Sequence, residues 1–284
     1  QWTRHRACAR RRPTPGLAEC AEMEPRLFDA HCHLDLMAHP DAVADEATAL
    51  GLGLFDCGVD PRDFSAANER AHRQPSIIAG IGLHPWWLAD GRCGPAEINL
   101  LCEVAAQERY IGEVGLDFSA RFAGSEPLQT QALDRLCEAL AQHPLTGRVI
   151  SIHRRSFGRS RTGRPRIAWT THPKPRLPAI IFHWFSGTSD ELVRARNAGC
   201  YFSVNESDAR HQARSSNTPD RSPSIVYCSR PMSAGGGKTP KTSAQSLIRS
   251  LTWTSERIAS LKNRDAECIE SAVLANAHSV FDLR

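Results

Sequence analysis

The chain has 284 residues, which is long for one domain of about 150 residues but ordinary for a single α/β barrel of about 250. Hydrophobic residues make up 41% and charged residues 23%, as in a globular chain with a large core, and the net charge is only +4. No apolar stretch approaches the roughly 18 residues needed to span a bilayer, which argues against a membrane protein.

Short apolar runs rich in β-branched and aromatic residues recur along the chain, as in strands covered on both faces. Seven such runs predict strands at 27–30, 52–57, 77–83, 109–114, 148–152, 179–184 and 200–204. Segments with helical periodicity follow most of them and predict helices at 40–50, 61–73, 95–108, 126–142, 189–198 and 254–275. This alternation predicts a parallel sheet of the α/β class.

An eighth strand would close the sheet into a TIM (β/α)8-type barrel. The candidate is 224–228, at about the right distance from the seventh strand. Its surroundings are basic and rich in Ser, Pro and Gly, which is typical of loops and linkers. We therefore predict a barrel with a degenerate eighth strand.

The positive charge is concentrated in three segments. Residues 1–22 hold five Arg and two Glu, 154–178 hold seven Arg and one Lys without an acid, and 207–243 hold six basic and two acidic side chains. Such segments indicate either a polyanionic partner or stretches that lie outside the folded domain. We predict an N-terminal extension over 1–22 and a single barrel domain over 23–284, with 154–178 and 207–243 as anomalous segments.

The ten cysteines never fall in a Cys-x-x-Cys pattern, which argues against a zinc ribbon or a redox motif. Cysteines spread in this way through a chain of this size are typical of reduced thiols in a cytoplasmic protein. Residues 1–22 also lack the apolar run of a secretory signal. We therefore expect a cytoplasmic protein, with no membrane contact and no sign of an obligate protein partner.

Polar residues end or follow several of the predicted strands: His31, His33, His84, Glu113, His153 and His183. The carboxyl ends of parallel barrel strands share one face, so these side chains are expected to converge there. Imidazole and carboxylate groups are ligands for Zn, Mn, Mg or Fe, and a carboxylate between two ions can bridge them. A lone strand-end His is more often structural, but several in sequence order favour a metal site. Trp86 and Trp87 after His84 could stack on a base or simply pack at the rim.

Five ordered motifs resemble those of TatD-like metal-dependent hydrolases. They are Phe28-Asp29-Ala30-His31-Cys32-His33-Leu34-Asp35, Gly80-Ile81-Gly82-Leu83-His84-Pro85, Ile111-Gly112-Glu113-Val114-Gly115-Leu116-Asp117, Ser151-Ile152-His153-Arg154-Arg155 and Phe182-His183-Trp184-Phe185-Ser186-Gly187. The resemblance runs from about Leu27 to Asn205 and resumes over 275–281. It implies an amidohydrolase-type barrel that hydrolyses phosphodiester bonds with divalent metal, typically as a DNase.

The resemblance also implies roles for individual residues. His31 and His33 match the first metal ligands, Glu113 the bridging carboxylate, and His153 and His183 the remaining imidazole ligands. Glu113 and His84 are the expected catalytic residues, with His84 near the scissile phosphate. Arg155 would pair with phosphate beside His84. The expected cofactors are two divalent ions, with Mg, Mn and Zn left open, and the expected substrate is DNA.

The family's eighth strand ends in Glu-Thr-Asp, whose Asp ligates metal and can act as a general base, and this signature is missing here. We hypothesise that the basic segments are read in shifted frames, because codons for 224–232 can be chosen so that an offset of two nucleotides reads Asp-Arg-Leu-Leu-Leu-Glu-Thr-Asp. Loss of that Asp predicts weak metal binding at one site and slow or absent catalysis.

Two further functions compete with the nuclease. A non-catalytic relative could use the basic segments to bind nucleic acid, with binding that survives chelation but weakens steeply with salt. An amidohydrolase acting on a small cyclic amide or lactone is disfavoured, because such sites often use a carbamylated Lys on the fourth strand. None of the four Lys lies on a predicted strand, and Glu113 occupies that place.

Overall fold

In a computed structural model of the chain, the described residues are 25–155, 178–183, 185, 188–205, 225–228 and 242–283; the side chain of Arg155 is left out. Predictions about 1–22 and about the greater part of 154–178 and 207–243 therefore lie outside the described residues. No helix in the described part of the chain is long and apolar enough to cross a membrane.

Eight parallel strands form one sheet, as the sequence predicts. They are β1 Leu27–Cys32, β2 Leu52–Cys57, β3 Ile77–Gly80, β4 Tyr110–Asp117, β5 Val149–Arg155, β6 Ala179–His183, β7 Tyr201–Val204 and β8 Ile225–Tyr227. The strand order is β3-β2-β1-β8-β7-β6-β5-β4, and an Ile81–Ile111 bridge joins β3 to β4. The sheet thus closes on itself, and the predicted TIM-barrel fold is confirmed.

The eighth strand forms, although it is only three residues long. Ile225, Val226 and Tyr227 pair with β7, and Tyr227 also pairs with Asp29 of β1. Val226 and Tyr227 are buried, and Asn276 of the last helix donates a hydrogen bond to the Ile225 carbonyl at 2.8 Å. Apolar residues at the predicted position therefore fill the last gap in the barrel.

Helices follow most strands and cover the barrel. They are α1 Pro40–Ala49, α2 Phe64–Arg73, α3 Pro85–Ala89, α4 Pro95–Ala105, α5 Glu126–Gln142, α6 Ser189–Asn197, α7 Ala244–Lys262 and α8 Ala266–Phe281. Four of them carry Pro in the first turn, where its missing N–H costs no helical hydrogen bond.

Several boundaries differ from the sequence predictions: β4 and β5 end three residues later than predicted, and the last predicted helical region begins at Ala244 and not at 254. The third strand ends at Gly80 and not at 83, because the chain turns at Leu83 and His84 into the short helix α3, which the sequence analysis missed. The predicted helix over 254–275 is two helices, because Asn263 adopts a left-handed conformation (φ 49°) that ends α7. The apolar periodicity continues across this break, which is why the sequence reads as one helix.

The early end of β3 brings β2 and β4 together and fixes the backbone of Glu113. The Glu113 N–H donates to the Gly58 carbonyl at 3.1 Å, and the Gly58 N–H donates to the Gly80 carbonyl at 2.8 Å. A Cβ at Gly82 would lie 1.9 Å from the Gly58 carbonyl oxygen, so only glycine fits there. This close approach sets Glu113 inside the mouth of the barrel.

Candidate metal centre

Six side chains predicted for the site meet at the carboxyl ends of the strands. His31 lies in β1 and His33 just after it, Glu113 lies in β4, and His153 and His183 are paired neighbours in β5 and β6. His84 precedes α3. All six are at least 90% buried, namely His31, His33, His84, Glu113, His153 and His183.

The Glu113 carboxylate lies at the centre of this cluster. Its Oε2 is 3.1 Å from Nε2 of both His31 and His33. Its Oε1 is 2.7 Å from Nδ1 of His153 and 3.3 Å from Nε2 of His84. Each carboxylate oxygen therefore faces two imidazoles, so a single acid connects the two halves of the cluster.

Two groups of side chains in the cluster could hold a metal ion, and they share Glu113. His31, Glu113 and His183 form one group, and His84, Glu113 and His153 form the other. Within each group one ligand atom per residue lies within 4.8 Å of the others. Glu113 therefore has the position of a carboxylate that can bridge two ions.

The outward nitrogens of three imidazoles are held by hydrogen-bond partners. Nδ1 of His33 is 2.6 Å from the Cys57 carbonyl, which can only accept, so His33 donates from Nδ1 and its Nε2 lone pair faces the cluster. Nδ1 of His31 is 2.8 Å from Ser151 Oγ, and Nδ1 of His183 is 3.2 Å from Ser203 Oγ. Metal-ligating imidazoles typically have their second nitrogen fixed in this way.

The inward nitrogens of His31 and His33 are crowded against the Glu113 carboxylate. Nε2 of His31 and Nε2 of His33 are 3.2 Å apart, and both face the Glu113 carboxylate. Two lone pairs and an anionic oxygen at these distances repel one another unless a proton or a metal ion lies between them. The donor set therefore fits a divalent ion that accepts nitrogen and oxygen ligands.

His84 differs from the other imidazoles because its Nδ1 accepts a hydrogen bond. The backbone N–H of Trp86 donates to this nitrogen at 3.1 Å, so neutral His84 carries its proton on Nε2. That proton points to Glu113 Oε1 at 3.3 Å. In this tautomer His84 is a hydrogen-bond donor in the site, so Glu113 and His153 remain as the candidate metal ligands of the second group.

Burial and mutual charge shift the pKa values of the cluster. Burial would raise the pKa of Glu113, but the surrounding imidazoles, His84 and His31 first, hold it well below its usual range. Burial lowers the pKa of His183 well below its usual value and that of His84 to about 4. Burial also acts on His153, yet Asp117 and Glu113 outweigh it and raise its pKa to about 9. Glu113 is thus ionised at neutral pH, while His84 and His183 are neutral.

A buried ion-pair network supports the segment that follows β1. Arg70 of α2 contacts Asp56 at 3.0 Å and Asp35 at 2.9 Å. The other oxygen of Asp56 accepts a 2.8 Å hydrogen bond from the backbone N–H of Leu34, the residue after His33. The network therefore fixes the chain at the point where it carries the second predicted metal ligand.

Other predictions about the site have different outcomes. Arg155 lies in β5, but its side chain is outside the description, so its contact with phosphate stays a prediction. Trp86 and Trp87 are only 6% and 5% exposed, and their rings pack inside the rim. Cys32, Cys57 and Cys93 are buried thiols, and the reduced state of the cysteines stays a prediction.

Sequence reasoning missed the residues that orient the imidazoles. Ser151 is two residues before His153 in β5, so the strand period places both on one face. Ser203 is the third of the four residues of β7, the next strand but one. This alternation could have identified Ser151, whereas its partner His31 lies 120 residues away and is known only from the fold.

A closed parallel barrel with a buried His/Glu cluster at its carboxyl-terminal mouth is the arrangement of barrel hydrolases that use divalent ions. The family model described as "TatD related DNase" matches residues 28–282. The chain therefore belongs to the TatD family, and the predictions of that family and of a hydrolase are confirmed.

Curated relatives and solved structures cover nearly the whole chain. The chain is 24% identical to the 3'-5' ssDNA/RNA exonuclease TatD of Escherichia fergusonii over 86% of this chain and 93% of the relative. It is also 24% identical to the putative deoxyribonuclease TATDN3 of Mus musculus, over 90% and 88% of the two chains. The crystal structure of YJJV, a TatD homologue from Escherichia coli, superposes with a TM-score of 0.68 at 18% identity, covering 92% of this chain and all of the other. A TatD-family hydrolase from Entamoeba histolytica gives 0.63 at 16% identity, over 91% and 98%.

Proposed function

We propose that this protein hydrolyses phosphodiester bonds in DNA with the help of two divalent cations. The observation that carries the proposal is the Glu113 carboxylate, with imidazoles on both of its oxygens and both groups of candidate ligands sharing it. The names of the relatives, an ssDNA/RNA exonuclease and a putative deoxyribonuclease, support the same substrate class.

Each residue of the cluster has a part in this proposal. His31, His33 and His183 with Glu113 would hold one ion, and His153 with Glu113 would hold the other. When bound, such ions polarise a phosphoryl oxygen and lower the pKa of a water molecule towards neutrality. Fixed Nδ1 contacts keep the ligand imidazoles oriented, so little rearrangement is needed on binding.

His84 would act on the substrate. Its Nε2 proton is directed into the cluster by the Trp86 N–H on the opposite nitrogen. A hydrogen bond from Nε2 to a non-bridging phosphate oxygen would stabilise charge that develops there in the transition state. Removal of one such donor typically costs 10²–10³ in kcat, so we expect a loss of about that size for His84→Gln with a smaller change in KM.

The proposal is tested with a small phosphodiester, bis(p-nitrophenyl) phosphate, and with end-labelled single-stranded DNA and RNA. We expect hydrolysis with Mg²⁺, Mn²⁺ or Zn²⁺ that stops on chelation and returns when metal is added back. We also expect DNA to be cleaved faster than RNA of the same sequence. Equal cleavage of both would remove the preference for DNA, and activity that persists after chelation would overturn the metal mechanism.

We also propose that this chain is impaired, because the Glu-Thr-Asp signature is missing after β8. Residues 229–231, where the shifted frame would supply it, lie outside the described residues. The combined substitutions Ser229→Glu, Arg230→Thr and Pro231→Asp should restore a carboxylate ligand and a general base. A base contributes about 10²–10⁴ in rate, so the restored variant should be faster by about that factor.

Three outcomes of this comparison are distinct. Slow hydrolysis by the chain and fast hydrolysis by the restored variant would support both proposals. Equal and rapid hydrolysis by the two proteins would contradict the impairment. No hydrolysis of any phosphodiester by either protein, with metal bound to both, would contradict the function itself.

A further inference from the structure

His153 has a buried nitrogen that the proposed metal chemistry does not use. Its Nδ1 lies 2.7 Å from Glu113, while its Nε2 has no hydrogen-bond partner among the described residues. The nearest carboxylate oxygen to that nitrogen is Oδ2 of Asp117, at 3.5 Å. A buried N–H without an acceptor costs about 1–3 kcal/mol, so the position of this carboxylate matters.

Asp117 ends β4, and its backbone is held by the side chain of Gln129. The Asp117 N–H donates to Oε1 of Gln129 at 2.7 Å, and Nε2 of Gln129 donates to the Asp117 carbonyl at 3.1 Å. A second bond from Gln129 Nε2 reaches Ser125 Oγ at 2.8 Å. Gln129 lies in α5 and is fully buried, and its amide hydrogen-bonds both the N–H and the carbonyl of Asp117.

The Asp117 side chain is fixed by two further donors. Trp86 Nε1 donates to Oδ2 at 2.7 Å, and the Ser119 N–H donates to Oδ1 at 2.9 Å. The Trp86 ring stacks on Phe122 with ring centroids 5.5 Å apart, so the indole cannot easily turn away. Both oxygens of the Asp117 carboxylate are therefore fixed in position, and Oδ2 is the oxygen that faces His153.

We propose that Gln129 is a positioning residue of the metal centre, which acts through Asp117 on His153. Gln129 fixes the Asp117 backbone, Asp117 Oδ2 is held opposite Nε2 of His153, and the ring then keeps Nδ1 on the side of Glu113. This proposal rests on the proposed role of His153 as a metal ligand. A carboxylate behind a ligating imidazole fixes its tautomer and orientation and increases its basicity.

The test measures metal affinity without substrate, by titration of the metal-free full chain with Zn²⁺ and with Mn²⁺. Loss of such outer partners typically weakens metal binding by 10–100-fold, so we expect a loss in this range for Gln129→Leu and for Asp117→Asn. Gln131→Leu, an exposed position on the same helix, is the matched control and should bind metal as the parent does.

A double-mutant cycle distinguishes the proposed path from a loss of packing. If Gln129 acts through Asp117, then Gln129→Leu combined with Asp117→Asn should weaken metal binding no more than the worse single variant does. Losses that multiply would overturn the proposal. So would a Gln129→Leu protein that unfolds at a lower temperature but binds metal with unchanged affinity.

Two further variants, Gln129→Glu and Trp86→Phe, test the proposal if Gln129→Leu does not fold. Gln129→Glu can accept and donate like the amide only while its carboxyl group is protonated, so metal affinity relative to the parent should improve as pH is lowered. Trp86→Phe keeps an aromatic ring beside Phe122 but removes the Nε1–H on Asp117 together with part of the ring, and it should weaken metal binding by about 10-fold. Unchanged affinity in both variants would overturn the proposal. Because no substrate is present, a failure of the nuclease assay leaves this result unaffected.

Discussion

Two charged groups are buried at opposite ends of neighbouring strands, and their surroundings differ. At the mouth, Glu113 of β4 is surrounded by titratable imidazoles. At the other end, Arg148 precedes β5 and is only 3% exposed. Its guanidinium donates to five backbone carbonyls, those of Ala105, Ala106, Glu108, Leu140 and His143, at 2.8–3.4 Å.

Glu113 lies in a site that can bind a ligand, whereas Arg148 caps the ends of two helices. Carbonyls at the ends of α4 and α5 have no helical partner, and a cation there satisfies them and interacts favourably with both helix dipoles. Because Arg148 satisfies these carbonyls, no ligand is needed at this end of the barrel. Glu113 instead faces groups that bind protons or metal ions, so its surroundings can exchange one cation for another.

The largest expected effect comes from Glu113→Gln, which keeps the shape of the side chain and removes its charge. The variant should lose metal affinity in both ligand groups and reduce phosphodiester hydrolysis by about 10³-fold or more, since the proposed chemistry depends on both ions. Metal titration and initial rates measure the effect. Glu69→Gln, an exposed position on α2, is the matched control. A Glu113→Gln protein that binds two ions normally would contradict the bridging role.

Arg148→Met should have the next largest effect, on stability and not on chemistry. It leaves buried carbonyls without donors, so the free energy of unfolding should fall by about 3 kcal/mol. Urea unfolding measures this change. The folded fraction should keep the metal affinity of the parent, and a parallel loss of metal affinity would mean that the two ends of the barrel are coupled.

The stability of the metal-free protein should depend on pH in two opposite ways. His84, with its pKa lowered from 6.5 to about 4, stays neutral while an unfolded chain binds a proton, so stability falls as pH drops from about 6.5 to about 4. His153, with its pKa raised from 6.5 to about 9, keeps a proton that an unfolded chain releases, so stability falls as pH rises from about 6.5 to about 9.

Thermal unfolding from pH 4 to 9 should show a maximum near the middle of this range. His153→Gln should flatten the alkaline side, and an unchanged alkaline side would contradict this assignment.

The smallest expected effect is that of Ser151→Ala, which removes the hydroxyl on Nδ1 of His31. Without it the ring is less firmly oriented, and metal affinity should fall by about 10-fold while the free energy of unfolding changes by about 1 kcal/mol. Metal titration and urea unfolding measure the two changes. Ser260→Ala, an exposed position on α7, should change neither, and equal behaviour of the two variants would show that the hydroxyl has no orienting role.

The barrel and the residues at its mouth could be predicted from the amino-acid sequence. Strand and helix periods depend on local geometry, so buried strands such as β2 could be read directly, as could the His/Glu residues at the strand ends. Even the short β8 was readable at its position, because its apolar residues stand out within a polar segment. The break at Asn263 was not readable, because a single residue in a left-handed conformation leaves the surrounding periodicity intact.

The contacts between side chains from distant segments could be seen only in the folded structure. Ser151 contacts His31, which lies 120 residues away in the chain. Gln129 of α5 hydrogen-bonds Asp117 at the end of β4, and Arg148 hydrogen-bonds carbonyls near the ends of two helices. Closure of the sheet into a barrel determines these pairings, because it brings distant segments within hydrogen-bond distance. A hydrogen bond depends on distances of about 3 Å, and no local sequence pattern encodes such a distance between segments far apart in the chain.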